Sequence, residues 1–167
     1  NLLKLDQREQ LVSTRLGWPP RSNGWTDDIG VSFKRTDINN LLTRSLVITP
    51  GISRVDTRSE QSLVLVTDLS WEFPEGGNTT YKQAVVPTYS WRYRGYDDLL
   101  DPRSGWEVAG QVGVASKAVL SDQDFVRTWG RVIRLFALSP RDTIALRAEG
   151  GIVFAPSRQG IPQQFLF

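Results

Sequence analysis

The chain has 167 residues, with 20 Lys+Arg against 18 Asp+Glu, no cysteine and no histidine. That length suffices for one domain with a sizeable core. The missing residue types exclude a disulfide framework, thiol chemistry and histidine-based general-base or metal chemistry, and a net charge of +2 carried by scattered single arginines argues against a nucleic-acid stripe.

The opening NLLKLDQREQ has neither a basic leader nor a long apolar run, so no signal peptide is read there. No stretch approaches the ~20 consecutive apolar residues of a membrane helix. Barrel strands cross a membrane with a much weaker signal per segment.

From residue 11 onward the dominant period is two, which predicts strands. In LVSTRLGW, Val12, Thr14, Leu16 and Trp18 share one face, with Ser13 and Arg15 opposite. WTDDIGVSFKR sets Trp25, Ile29, Val31 and Phe33 against Asp28, Ser32 and Lys34. LLTRSLVITPGIS sets Leu42, Leu46, Ile48 and Ile52 against Thr43, Ser45, Thr49 and Ser53. Pro50 lacks a ladder donor and predicts a bulge or a bend.

SLVLVTDLSWEF, 62–73, alternates most cleanly, with Leu63, Leu65, Leu69, Trp71 and Phe73 against Asp68, Ser70 and Glu72. YKQAVVPTYSWRY gives Tyr81, Val85, Tyr89, Trp91 and Tyr93 against Lys82, Thr88, Ser90 and Arg92. WEVAGQVGVASK gives Trp106, Val108, Val112 and Val114 against Glu107, Gln111 and Lys117. In 125–138, Arg127 and Arg131 share a face with Trp129, while Arg134 falls on the other. IALRAEGGIVF gives Ile144, Leu146, Ile152 and Phe154 against Ala145, Arg147 and Glu149.

Eight strands of about 10–14 residues exceed the usual ~5–6 and suit the ~9–11 needed to cross a bilayer at a tilt. The joints 19–24, 37–41, 56–61, 74–80, 95–105, 118–124 and 139–142 are short, which predicts an antiparallel up-and-down meander in one domain over 1–167.

The two faces suggest which side is wet. Asp68, Arg92, Arg127, Arg131, Arg147 and Glu149 are full charges in mid-strand, joined by Glu72. In a dry core each would cost several kcal/mol unless paired; in a hydrated lumen they cost little. On the apolar face, Trp18, Trp25, Trp71, Phe73, Tyr81, Tyr93, Trp106 and Phe154 sit near strand ends, as interfacial girdles do. The same alternation also fits a soluble β-sandwich in which these aromatics are core.

DDLLDPRSGW, 97–106, is a turn between two such strands. With Asp98, Leu100, Pro102 and Gly105 it resembles the turn motif of outer-membrane assembly barrels of the BamA/TamA superfamily. VLSDQDFVRTWGRV resembles that family's acidic loop and Phe-rich strand, nearest to its translocation and assembly module (TamA) branch. Leu146, Arg147, Glu149 and Gly151 resemble its Leu-Arg-x-Glu-x-Gly strand. FKRTDINNLLTR and RVDTRSEQSLVL extend the likeness upstream, and it is strongest from about residue 56 onward.

The resemblance implies a central portion of a sixteen-stranded transmembrane β-barrel, roughly its fourth to eleventh strands. The POTRA domains, the VRGF loop segment and the first and last strands at the lateral seam then lie outside this sequence, and the family's best-known functional residues cannot be carried onto it. It implies a Gram-negative outer-membrane location and a role in inserting, folding or translocating other outer-membrane proteins such as autotransporters. Its implied partners are the lipid bilayer and lipopolysaccharide, client outer-membrane proteins and a periplasm-spanning subunit, with no nucleic acid and no cofactor. The family places the Pro-x-x-Gly turn on the periplasmic side, which puts 19–24, 56–61 and 139–142 there and 37–41, 74–80 and 118–124 outside.

Three other classes compete. QQFLF ends in Phe167, with Phe165 two before it, like the terminal signal of a complete barrel, so eight strands could be a whole small barrel. Pro162 opposes this, because five residues are too few for another spanning strand. A porin would carry a longer constriction loop. An enzyme is not expected: no histidine can activate a serine, and Asp68 with Glu72 reads better as lumen polarity than as an acid/base pair.

Overall fold

The computed structural model describes residues 7–38, 41–139, 141–157 and 160–165. The strands are β1 (Gln7–Gly17), β2 (Trp25–Ile38), β3 (Leu41–Val55), β4 (Ser59–Pro74), β5 (Thr80–Tyr96), β6 (Gly105–Ala115), β7 (Phe125–Ala137) and β8 (Thr143–Phe154). They form one sheet in the order β1 to β8, each neighbour antiparallel. The expected all-β, up-and-down meander is observed. The sheet is open: among the described residues β1 and β8 do not pair.

Strand length rises from 11 residues in β1 through 14, 15 and 16 to 17 in β5, then drops to 11 in β6. Several strands outrun the alternation that predicts them, since charged residues at their ends still pair in the ladder. The β2–β3 joint contracts accordingly to residues 39–40, which lie outside the described residues, as do Pro140 in the β7–β8 joint and Phe167. In the other direction, β6 ends at Ala115. Lys117 therefore does not belong to its polar face but opens a short 3₁₀ turn, Lys117–Val119.

Pro50 makes no bulge. Ile48 faces Thr67 and Gly51 faces Val64, so the same register holds on both sides and no extra residue is inserted. The β3–β4 ladder simply lapses at Thr49 and Pro50, as a missing N–H requires. A second lapse follows Pro87: β5 pairs with β6 only from Thr88 onward. Before it, the free edge of β5 is satisfied by the loop ahead of β7. The Gln83 amide donates to the Asp122 carboxylate at 2.6 Å, the Val85 amide donates to Ser121 Oγ at 2.9 Å, and the Asp122 amide donates to the Gln83 carbonyl at 2.9 Å.

Because directly opposed residues share a face, the register sorts every side chain. Val12, Phe33, Leu46 and Leu69 align across four strands on the apolar face. On the same face Trp71 meets Tyr81 at 5.6 Å and Tyr93 meets Trp106 at 5.2 Å between ring centroids. Tyr81 and Tyr93 lie twelve residues apart on β5, or ~40 Å at ~3.4 Å per residue.

Burial is inverted relative to an ordinary amphipathic sheet. The sheltered strand residues are mostly on the polar face: Asp68, Ser70, Ala84, Val86, Thr88, Glu107, Ala109, Ala115 and Phe125. Large apolar residues of the other face, including Leu63, Tyr89, Trp91, Val112, Val132 and Leu146, are exposed. Chain lying over the polar face supplies much of this shelter, and side chains of neighbouring strands supply the rest.

What does lie over it is the segment after β8. Ile161 and Phe165 are buried with Ala84, Val86, Ala115 and Phe125, against Val66 and Val153. Phe165 stacks on Phe125 at 5.4 Å, and Gln123 Nε2 donates to the Ser157 carbonyl at 3.3 Å. Phe165 thus belongs to a cluster on the polar face, and no ninth strand forms among the described residues.

The tightest backbone point is Gly105, at φ +121°, where a Cβ would stand 2.3 Å from the Gly95 carbonyl oxygen. Gly76 also has positive φ, at +75°, but nothing lies within 4 Å of its missing Cβ. Gly105→Ala should therefore destabilise by about 3 kcal/mol or more, from backbone strain plus clash, and Gly76→Ala by about 1 kcal/mol. Denaturant midpoints of the two variants check this; equal losses would contradict it.

Candidate functional site

The polar face gathers the expected charges. Asp68, Glu72, Arg92, Arg127, Arg131, Arg147 and Glu149 all occupy it, because the ladders put even positions of β4 and β5 on the same side as odd positions of β7 and β8. They form three groups.

The largest centres on Glu107 of β6, a residue only 7% exposed. Arg131 donates to its Oε1 at 2.7 Å. Arg92 and Arg94 approach the same carboxylate at 3.7 and 3.6 Å. Both also reach Glu60 of β4, at 3.1 and 2.6 Å. Tyr96 Oη lies 3.5 Å from Glu107 Oε2. Three guanidinium groups and two carboxylates thus span β4 to β7. The Nε atoms of Arg92 and Arg131 are shielded and have no hydrogen-bond partner. Beside the group a cavity of ≈ 330 Å³ runs past Ser62, Ser90, Gln111 and Trp129.

The second group lies toward the far end of β4. Asp68, 1% exposed, accepts hydrogen bonds from Ser45 Oγ at 3.1 Å and Ser70 Oγ at 2.6 Å, and bonds the Gln164 side chain of the segment after β8. Lys82 donates to Glu72 at 2.6 Å. A cavity of ≈ 560 Å³ opens here between Ser32, Lys34, Thr43 and Asp68 on one side and Pro162 and Gln164 on the other. The third is Arg147 with Glu149, bonded to each other two residues apart on exposed β8. Glu149 also faces Arg131 in register. Arg127 sits between Gly113 and Val153.

Glu107, Glu60, Arg94 and Tyr96 are the members missed as site residues. Glu107 was legible as a polar-face residue of β6, but nothing in one strand shows three arginines converging on it. Glu60 lies in a stretch expected to be a joint, and Arg94 and Tyr96 lie beyond the expected end of their strand. The register alone brings them together.

The turn residues serve backbone geometry. Asp98 Oδ1 accepts the Leu100 amide at 2.7 Å. Asp97 Oδ1 accepts the amides of Arg103 at 3.1 Å and Ser104 at 3.0 Å. The Ser104 amide above all, with further backbone donors, holds the Asp97 carboxyl down to about 2. A depressed folded value means its bonds are fully available above about pH 4 and are lost as pH falls toward 2. Pro102 presets the turn and Gly105 closes it. Leu100, 97% exposed, touches nothing that explains it.

No family model and no curated protein matches this sequence.

The arrangement holds charges in place on a surface between water and protein. Its keystone is testable. Glu107→Gln leaves Arg92 and Arg94 with Glu60 alone and takes from Arg131 the carboxylate it bonds, and should cost about 2–4 kcal/mol, whereas Glu149→Gln, which breaks an exposed pair, should cost under about 1 kcal/mol. Unfolding midpoints decide. Adding Arg131→Gln to Glu107→Gln should recover part of the loss, and strict additivity would mean the pair is not coupled.

Proposed function

We propose that this chain is a wall of a transmembrane β-barrel in the Gram-negative outer membrane, with its apolar face toward lipid and its polar face toward a hydrated lumen. The observation that carries the reading is the inverted burial: apolar side chains stand outward and uncovered while Asp68, Glu107 and their partners are sheltered. Lipid is the environment in which that sign is favourable. A β-sandwich would cover the apolar face with a second sheet, but all eight strands belong to one sheet. A small closed barrel would pair β1 with β8; among the described residues they do not pair, and both edges carry unpaired backbone groups that lipid does not tolerate. Further strands beside β1 and β8 satisfy them in this reading.

A paired label experiment tests the wall. A spin label at Leu146 should be relaxed by oxygen, which concentrates in lipid, and one at Ala145 by a water-soluble agent. The reverse pattern refutes the orientation, and water access at both positions refutes the membrane.

The function that fits best is assembly or translocation of other outer-membrane proteins. It rests on the resemblance carried by Asp98, Leu100, Pro102, Gly105 and the Leu146–Gly151 strand. In it this segment supplies a rigid, charge-lined wall, and strand addition to clients occurs at an edge elsewhere in the barrel. Cells lacking the intact protein should display fewer autotransporters while their porin levels hold. Unchanged autotransporter display would favour a passive pore.

A further inference from the structure

The apolar face carries an anomaly at the end where β2 meets β3. Gln10, Arg35, Arg44, Trp71 and Tyr81 are directly opposed in succession across β1 to β5. One row inward are Val12, Phe33, Leu46, Leu69 and Gln83; one row outward are Arg8, Asp37, Leu42 and Phe73. Arg35 and Arg44 are thus like charges in direct cross-strand opposition, which destabilises a sheet unless something anionic lies between them.

Nothing in the described protein fills that role. Neither arginine takes part in an ion pair, although many other cations of the sheet do. Among the described residues, the nearby carboxylate on this face is Asp37, directly opposite Arg8. Arg44 lies over the Phe73 ring at 5.3 Å from its centroid, which holds its guanidinium toward the rim. Trp71 and Tyr81 stand in the same row as an aromatic pair.

We propose that Arg35 and Arg44 form a binding site for the headgroup phosphate of an anionic membrane lipid, seated at the boundary between the aromatic row and the apolar rows. The assignment rests on the membrane reading above. Two guanidinium forks carried by directly opposed residues offer enough donors for the several oxygens of one phosphate, and the ligand's charge removes the repulsion that the register imposes. Phe33, Leu46 and Leu69 continue inward from the site, where acyl chains would lie.

The chain has no cysteine, so Leu46→Cys gives one labelling position beside the pair. The intact protein, labelled there with a fluorophore that bromine quenches on contact, is placed in phosphatidylcholine vesicles. A minor fraction of lipid is replaced by either phosphatidic acid or phosphatidylcholine with brominated chains. Brominated phosphatidic acid should quench roughly fivefold more effectively than brominated phosphatidylcholine. Arg35→Gln with Arg44→Gln should erase that preference and leave quenching by phosphatidylcholine intact. Intact quenching by phosphatidylcholine with no preference for phosphatidic acid overturns the site while sparing the membrane reading. No quenching by either lipid overturns both. Loss of the preference on adding inorganic phosphate, at constant ionic strength, would show that the site takes free phosphate and overturn the lipid assignment.

Discussion

Register is the constraint on which everything else rests. With side chains alternating at a strict period of two, a one-residue slip between any pair of strands would carry Asp68 or Glu107 to the apolar face and Leu69 or Val108 to the polar one. Seven ladders hold one consistent assignment from β1 to β8. They do so across the lapse at Pro50, which costs hydrogen bonds but keeps the count. Turn chemistry pins the count where Asp97, Asp98 and Gly105 join β5 to β6.

Given that register, the polar face must solve an electrostatic problem. Neighbouring side chains and the segment after β8 shelter charged groups from bulk water, and sheltered charges are costly alone. The solution is shared neutralisation: Glu107 serves three arginines, and Glu60 serves two of the same three. Asp68 is held by hydroxyl groups and an amide side chain instead of a cation. The apolar cluster around Phe125 and Phe165 is small beside these polar groups. Cohesion in this region therefore depends on ladders and ion pairs to an unusual degree.

How legible was this in the sequence? The eight strands, their antiparallel order and the face of each residue followed from alternation, because that signal is local and repeats with every second residue. Even the untidy β7 sorted correctly, with Arg134 leaving its fellow arginines and lying over Phe136 at 5.2 Å. Strand ends were less legible. Glu60, Arg94 and Tyr96 look like joint residues, yet ladder pairing and ion pairs keep them in strands. Lys117 continued an alternating pattern but lies past the last ladder pair of β6. The convergence on Glu107 was invisible, since it depends on how four strands align, which no one strand records. The fold-back of Ile161 and Phe165 was likewise beyond local pattern.

The abrupt step in strand length has a mechanical consequence. β5 exceeds β6 by 6 residues, or ~20 Å of extended chain, and the surplus lies at the end where the Ser121–Asp122 loop braces its free edge. That end of the sheet is therefore stepped, long over β1 to β5 and short over β6 to β8. The step leaves a notch beside β5, and the segment after β8 turns inward close to it. The edge of β5 at that notch is not left open, because Ser121 and Asp122 supply the hydrogen-bond partners that β6 is too short to give.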